Sequence, residues 1–339
     1  MAIAYGGQQR RFGRNPVLAA EQAPGAMTGG CRTAGTVLLW RNERMIIQDI
    51  TARLYADCPR ETLYHYTTLK GLLGIVASRG LWASDIRYMN DSAEMKHAAD
   101  LIKKDIARRI AEGHPNPKLL NQFQYWVGHR IDHGHMLFSA SFRSNGNLLS
   151  QWRGYSTHGK GVSIGFAPEA ILSCARNQSF QVARCVYSPQ EQEQLIGQVV
   201  DAMEMLADEL GECTDPAVRS PEQSWYDSFE KGESDLLRIA AVLKHPSFEE
   251  EQEWRVVSPV LTDFDQAPIH FREGTSMLVP YLEFRLTATP DAPLALEHLF
   301  LGPSPNISIS MSSLELYLAH HGIRPRSGIS YCQIPYRQR

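Results

Sequence analysis

The chain has 339 residues, 43% of them hydrophobic and 21% charged, with a formal net charge of −3. That length suits one large domain or two small ones, and the near-neutral balance supplies no general electrostatic attraction to nucleic acid or acidic lipid. The six cysteines (Cys31, Cys58, Cys174, Cys185, Cys213 and Cys332) form no CxxC pair, which argues against a zinc ribbon or a disulfide framework.

No apolar run reaches the roughly 18 residues that a membrane helix needs, and no signal-peptide core is legible. A soluble, cytoplasmic protein with no membrane partner is therefore expected. Residues 1–44 are rich in Gly, Ala and Arg without a sustained period, so they are expected to be disordered. A cleaner helical pattern, Ile46, Ile47, Ile50 and Leu54, begins at Met45. This fits Met45 as the natural start, with the preceding residues an extension and 45–339 a single α+β domain.

LYHY (63–66) reads as a strand with His65 on the face opposite Tyr64 and Tyr66. Thr67 or Thr68 then caps a helix carrying Leu69, Leu72, Leu73 and Val76, with Gly80 at its left-handed C-terminal position before an extended Leu81-Trp82-Ala83. Asn90 and Asp91 open the next helix, and Asp91 with Glu94 has capping-box spacing. That helix should run over 92–112 to Gly113, with Lys103, Lys104, Arg108 and Arg109 on a solvated face. Another follows over Leu119–Val127.

His129, Asp132, His133 and His135 fall within seven positions and invite a metal reading. The spacing lacks the HExxH form and has no marked partner, so a polar loop before a strand is expected and no metal ligand is assigned. The strand Met136–Phe142 puts Ser139 and Ser141 on one face. After an SNGN turn, the segment 148–155 combines apolar anchors with Gln151 and Arg153, a pairing suited to orienting a polar ligand.

GYSTHGKG (154–161) resembles a P-loop only superficially: its eighth residue is Gly161, and a strand (161–166) follows it instead of a helix. A further strand is expected over 180–187, then a helical insertion over about 190–244 that serves as core cover, lid or partner surface. In HPSFEEEQEWRVV, four carboxylates in five positions run directly into an apolar strand. If that strand starts near Gln252, then Glu251, Glu253 and Arg255 share a face, where they must pair, face solvent or meet a ligand. Strands over APIHFRE, LVPYLEFRL and HLFLGPS, a helix over Ser313–His320 and a strand from Ile329 complete the chain.

Several blocks in order, LYHYTTLKGLLGI, LWASDIRYMNDSAE, LFSASF, LLSQWRGY with GKGVSIGF, KHPSFEEEQEWR and GISYCQIPYR, resemble the bacterial domain-of-unknown-function 2971 family over about residues 60–337. That family name implies no activity. The opening strand and helix are also similar to the start of NAD-dependent ADP-ribosyltransferases, including those that modify DNA or RNA. This resemblance implies a mixed, mostly antiparallel split sheet with flanking helices.

It further implies His65 in the first motif position, Ser139 and Ser141 in an S-T-S-like position, and Glu251 and Glu253 in an E-x-E-like position. The chemistry implied is cleavage of the nicotinamide–ribose bond through an oxocarbenium-like state, with NAD as substrate. Glu253 would stabilise the developing cation, the serines would support it, and His65 would hold the ribose. Glu251 would activate an acceptor, which the sequence leaves open between protein, nucleic acid, small molecule and water. Binding of the nucleotide would draw on Arg153 or Arg255 for pyrophosphate, on Tyr66, Tyr88 or Tyr155 as aromatic faces, and on Thr67, Gln151 and Trp152. A toxin or phage-defence setting is what such transferases suggest. A non-enzymatic nucleotide-sensing or protein-interaction module and a metal-dependent hydrolase are the alternatives.

Overall fold

A computed structural model describes residues 45–334, apart from 90–92, 156–160, 264–266, 275 and 290–291. The expected disorder of 1–44, the Asp91 capping box and the centre of the GYSTHGKG turn lie outside the described residues. In chain order the elements are α1 (Ile47–Leu54), β1 (Leu63–Thr68), α2 (Leu69–Ser78), β2 (Gly80–Asp85), α3 (Ala93–Ala111), α4 (Pro117–His133) and β3 (Phe138–Arg143). Next come α5 (Leu149–Tyr155), β4 (Gly161–Phe166), α6 (Pro168–Asn177), β5 (Gln181–Arg184), α7 (Pro189–Leu210) and α8 (Tyr226–Ala240). A 3-10 turn (Pro246–Glu251) leads to β6 (Glu253–Val257), β7 (His270–Glu273), β8 (Leu278–Arg285), β9 (His298–Leu301), α9 (Ile307–His320) and β10 (Ile329–Tyr331).

The local chemistry accounts for most boundaries. Thr68 caps α2, its hydroxyl accepting from Gly71 N–H at 3.1 Å, as side-chain oxygens at this position do. Asn116 and Ser188 cap α4 and α7 in the same way, each followed by proline in the first turn, where a missing N–H costs nothing. Helix α2 ends differently from expectation. Arg79, not Gly80, takes the left-handed conformation (φ 54°), and Gly80 already belongs to β2.

A Cβ at Gly80 would meet the end of the exposed Glu283 side chain at 2.7 Å, so a larger residue there would have to displace it. The polar loop expected around His129 and His133 is instead the last turn of α4. The apolar face of Leu119, Leu120, Phe123 and Trp126 extends that helix through Val127 and Ile131 into the core, so burial decides over local polarity.

Ten strands form a mixed sheet, antiparallel except for β9–β10, in the order β10-β9-β4-β1-β3-β2-β8-β7, with β6 and β5 joining through β3. Strand β3 is the junction. One of its edges pairs with β6 from Ser139 to Arg143. The other edge meets β2 at Phe138 and Ser139 but meets β1 only at Arg143. The sheet therefore forks along β3, and among the described residues Ala140 to Phe142 have no strand partner on the fork side.

Cross-strand partners project to the same face, which sorts the whole sheet. Phe138, Ala140, Phe142, Val256 and Ile164 face α2, α6 and α9 in one apolar cluster. The opposite face is covered in part by α1, α3, α4, α7 and α8 in the largest cluster and in part by α5, where Tyr66 meets Trp152. Helices α7 and α8 supply Leu195, Val199, Phe229 and Leu237 to that cluster, so the inserted helical block is core.

Arg109, expected on a solvated face, joins α3 to α7. It bonds Asp105 at 2.6 Å, Asp201 at 2.5 Å and the Gly197 carbonyl at 2.9 Å. Among the described residues, no helix is long and apolar enough to cross a membrane.

Phe229 is fully buried between Phe123 and Trp126, with ring centroids 5.1 and 5.7 Å away. Phe229→Ala should lower unfolding free energy by about 3–5 kcal/mol, measured by urea denaturation, because the rings around it cannot collapse into the void.

Candidate functional site

The alternation of β3 places Ser139, Ser141 and Arg143 on the face opposite Phe138, Ala140 and Phe142, the one that α7 and α8 help to cover. The register of β6 places Val257, Arg255 and Glu253 opposite them in turn. Glu253 has no exposed surface. Its carboxylate is held by Lys244 Nζ at 2.5 Å, by Arg255 Nε at 2.9 Å and by Arg143 Nη1 at 3.4 Å, while its N–H donates to the Tyr187 hydroxyl at 2.9 Å.

Burial works to raise the Glu253 pKa, but Arg255, Arg143 and Lys244 outweigh it and hold the group well below the ordinary carboxylate range. This carboxylate is ionised at neutral pH because three cations surround it. Strand β6 begins at Glu253, one residue past the expected start near Gln252. Gln252 is left-handed (φ 43°), and Glu251 ends the 3-10 turn. Glu251 nevertheless reaches the same cluster, 2.5 Å from Arg143 Nη2 and 2.9 Å from Lys244 Nζ. Its side chain keeps 12% exposure, which makes it the carboxylate of the pair nearer to solvent.

The serine hydroxyls stand beside these charges. Among the described residues, Ser139 Oγ, Ser141 Oγ and Arg143 Nε are buried with no hydrogen-bond partner. Buried donors are normally satisfied, so three orphans along one strand face mark a place suited to a polar ligand.

His65 does not share the serine face. His65 lies on the other face of β1, paired with Ile164 and 5.9 Å, ring to ring, from Phe142. It still touches the fork, since its Nδ1 lies 3.0 Å from the Ser141 carbonyl oxygen. A carbonyl only accepts, so Nδ1 carries the proton. Burial lowers the His65 pKa, the Ser141 bond opposes this and Arg143 adds to it, leaving a neutral ring with Nε2 as the acceptor.

The proposed nucleotide-binding residues divide into groups. Tyr66 is buried, its hydroxyl donating to the Asn145 carbonyl and accepting from Leu148 N–H, each at 2.8 Å. Its ring meets Trp152 edge-on at 4.9 Å and lies 6.4 Å from Tyr155. Trp152 is buried and donates to Asn147 Oδ1 at 2.8 Å, and Gln151 is buried beside it. These residues pack α5 onto the sheet, and Tyr66 and Trp152 already spend their ring surfaces on each other.

Thr67 shares the His65 face, and Arg153 is exposed on α5. Arg255 is buried, its Nε on Glu253 and its Nη1 donating to the Ala241 carbonyl at 2.6 Å. It is spent on structure and does not face outward for a pyrophosphate. Sequence reasoning missed Arg143, Lys244 and Tyr187. Arg143 sits two residues beyond Ser141, so the same alternation that selected the serines selects it too. Lys244 and Tyr187 reach the cluster through tertiary packing and carry no local signal.

His129 and His133 lie one turn apart on α4, their rings tilted by 57° with centroids 5.2 Å apart. His135 bonds Glu233 at 3.0 Å. Among the described residues, no group of three His, Cys, Asp or Glu is placed to hold a metal ion.

With this geometry in hand, residues 151–256 match the family model described as a protein of unknown function, DUF2971. The matched segment runs from α5 through β6, so it contains Lys244, Glu251, Glu253 and Arg255 and ends beside the carboxylates. It excludes β1 and β3. No curated protein and no solved structure matches the chain.

Removing one partner of a buried pair leaves an uncompensated charge. Lys244→Met should therefore cost about 3–5 kcal/mol in urea unfolding. The Glu253 carboxyl titrates lower in the folded chain than in the unfolded one. Its contribution is thus present above the ordinary value of 4.5 and lost as pH falls from there through the folded value. Unfolding free energy measured from pH 6 to pH 3 should fall more steeply in the parent chain than in Glu253→Gln.

Proposed function

We propose that this chain is an ADP-ribosyltransferase-like enzyme, a transferase or glycohydrolase that takes NAD as its substrate at the fork of the sheet. One observation carries the reading. Among the described residues, two unpartnered serine hydroxyls and an unpartnered guanidinium Nε share a buried strand face with the Glu253 carboxylate, and Glu251 reaches the same cations from the adjoining turn.

A ribose–phosphate ligand needs this mixture. Donors suit phosphate and ribose oxygens. An ionised carboxylate suits the positive charge that develops when the nicotinamide–ribose bond breaks. The forked sheet and the neutral His65 within hydrogen-bond reach of its backbone fit the same reading.

The roles shift from those expected. Glu253, bonded to three cations, positions Arg143 and Lys244. Glu251, partly exposed and bonded to the same two cations, is the carboxylate that meets the ligand. Arg143 takes over the phosphate contact from Arg255, and Ser139 and Ser141 hold ribose hydroxyls.

A second reading, a nucleotide-sensing module without turnover, is favoured by the saturation of Glu253. A carboxylate already neutralised by cations stabilises a new cation poorly. NAD labelled on the nicotinamide and, separately, on the adenylate distinguishes the two. The enzyme should release nicotinamide, with or without adenylate transfer, and Glu251→Gln should slow release on the order of 100-fold. Saturable NAD binding without release would establish the sensing module, and the absence of both binding and release would end both readings.

A further inference from the structure

Away from the carboxylates, the same sheet face carries a second polar group. His298 on β9 lies between two hydroxyls: its Nε2 is 3.0 Å from Ser330 Oγ on β10, and its Nδ1 is 3.2 Å from the Tyr64 hydroxyl on β1. We infer that Ser330, His298 and Tyr64 form a nucleophile, a general base and an orienting group that accept an acyl group from an ester or thioester.

A serine hydroxyl is a weak nucleophile until a base takes its proton, and the base must present the correct nitrogen. Here the hydroxyl faces Nε2 while a third group holds Nδ1. In the proposed arrangement the Tyr64 oxygen accepts from Nδ1–H, which makes Nε2 the acceptor for Ser330 O–H.

The orienting group is built in. A Cβ at Gly146 would lie 2.4 Å from the Tyr64 ring, and one at Gly165 would lie 2.9 Å from it and 3.1 Å from the His298 carbonyl oxygen. The Tyr64 ring fits only because both neighbours are glycine. Phe300 closes on the His298 ring edge-on at 4.4 Å, so both rings are fixed by packing. Burial lowers the His298 pKa and Glu297 opposes this, leaving the ring neutral and able to accept a proton at pH 7. Ser330 is partly exposed on β10, the terminal strand of the described sheet, which opens its outer side to a substrate.

In the first step Ser330 Oγ bonds to the carbonyl carbon as its proton passes to His298 Nε2. Collapse of the adduct breaks the carbon–oxygen or carbon–sulfur bond, and the leaving group takes that proton. Water then cleaves the acyl-serine by the same proton route and releases a carboxylic acid. None of these steps involves Glu251 or NAD, so the inference stands or falls apart from the proposed NAD chemistry.

The test uses the full chain without NAD, an alkyl fluorophosphonate as covalent probe, and p-nitrophenyl acetate as substrate. One adduct is expected, on the peptide carrying Ser330, and its rate should fall on the acid side of the His298 titration, below pH 6.5. Ser330→Ala should abolish it, while Ser327→Ala should leave it intact. His298→Gln should slow labelling on the order of 100-fold. Tyr64→Phe, which keeps the ring, should slow it less and shift the pH profile.

Thermal melts separate loss of chemistry from loss of fold. Should a variant unfold, Ser330→Cys replaces it, with iodoacetamide labelling expected to follow the same His298-dependent pH profile. No adduct on the parent chain, an adduct elsewhere, or undiminished labelling of folded His298→Gln overturns the inference.

Discussion

The Glu253 carboxylate, buried and ionised, is the constraint on which the arrangement depends. A lone charge in that position would be expensive to keep out of water. Three cations from three parts of the chain therefore converge on it: Arg143 from β3, Arg255 from β6 and Lys244 from the segment after α8. Because Arg255 also bonds the Ala241 carbonyl and Lys244 also bonds Glu251, the cluster fastens the helical layer to the centre of the sheet. Apolar packing alone would leave that layer free to slide, since dispersion is not directional, whereas charge-assisted bonds hold one register.

That fastening sets the geometry of the candidate site. With Arg143 turned toward Glu251 and Glu253, its Nε is left along the strand face with Ser139 and Ser141. The fork then brings His65 to the backbone of the same strand from the opposite face. Polar groups with incomplete hydrogen bonding weaken a core, and three of them persist here at the junction of β1, β2, β3 and β6.

A line of residues crosses the sheet at this level. Glu253, Arg143, Tyr64, Gly165 and His298 are successive cross-strand partners on β6, β3, β1, β4 and β9. One end of the row holds the buried charges, and the other holds the histidine between two hydroxyls. Tyr64 stands between them, beside Arg143 in the ladder and bonded to His298, with Gly165 leaving room for its ring. The two groups are chemically separate but share one register. A slip of one residue in β1 would turn Tyr64 to the other face and dismantle the histidine relay, and it would bring His65 onto the serine face.

The sequence by itself determined the local features. Alternation placed Tyr64 and Tyr66 opposite His65, and Ser139 with Ser141, because side-chain period in a strand is a property of the backbone. Apolar spacing located α1, α3, α7, α8 and α9, and the family blocks identified a relationship that the match over residues 151–256 supports. Arg143 was legible by the same alternation once Ser141 was singled out.

Only the tertiary structure decided which strand edges meet, and so the fork, the separation of His65 from the serine face and the arrival of Lys244 and Tyr187 at Glu253. It also turned HRIDH into helix and Arg255 into a structural ion pair. Those outcomes depend on what a distant segment buries. A residue's neighbours in the chain carry no information about burial partners a hundred positions away, and it is desolvation by those partners that fixes the charge, hydrogen bonding and exposure of each group.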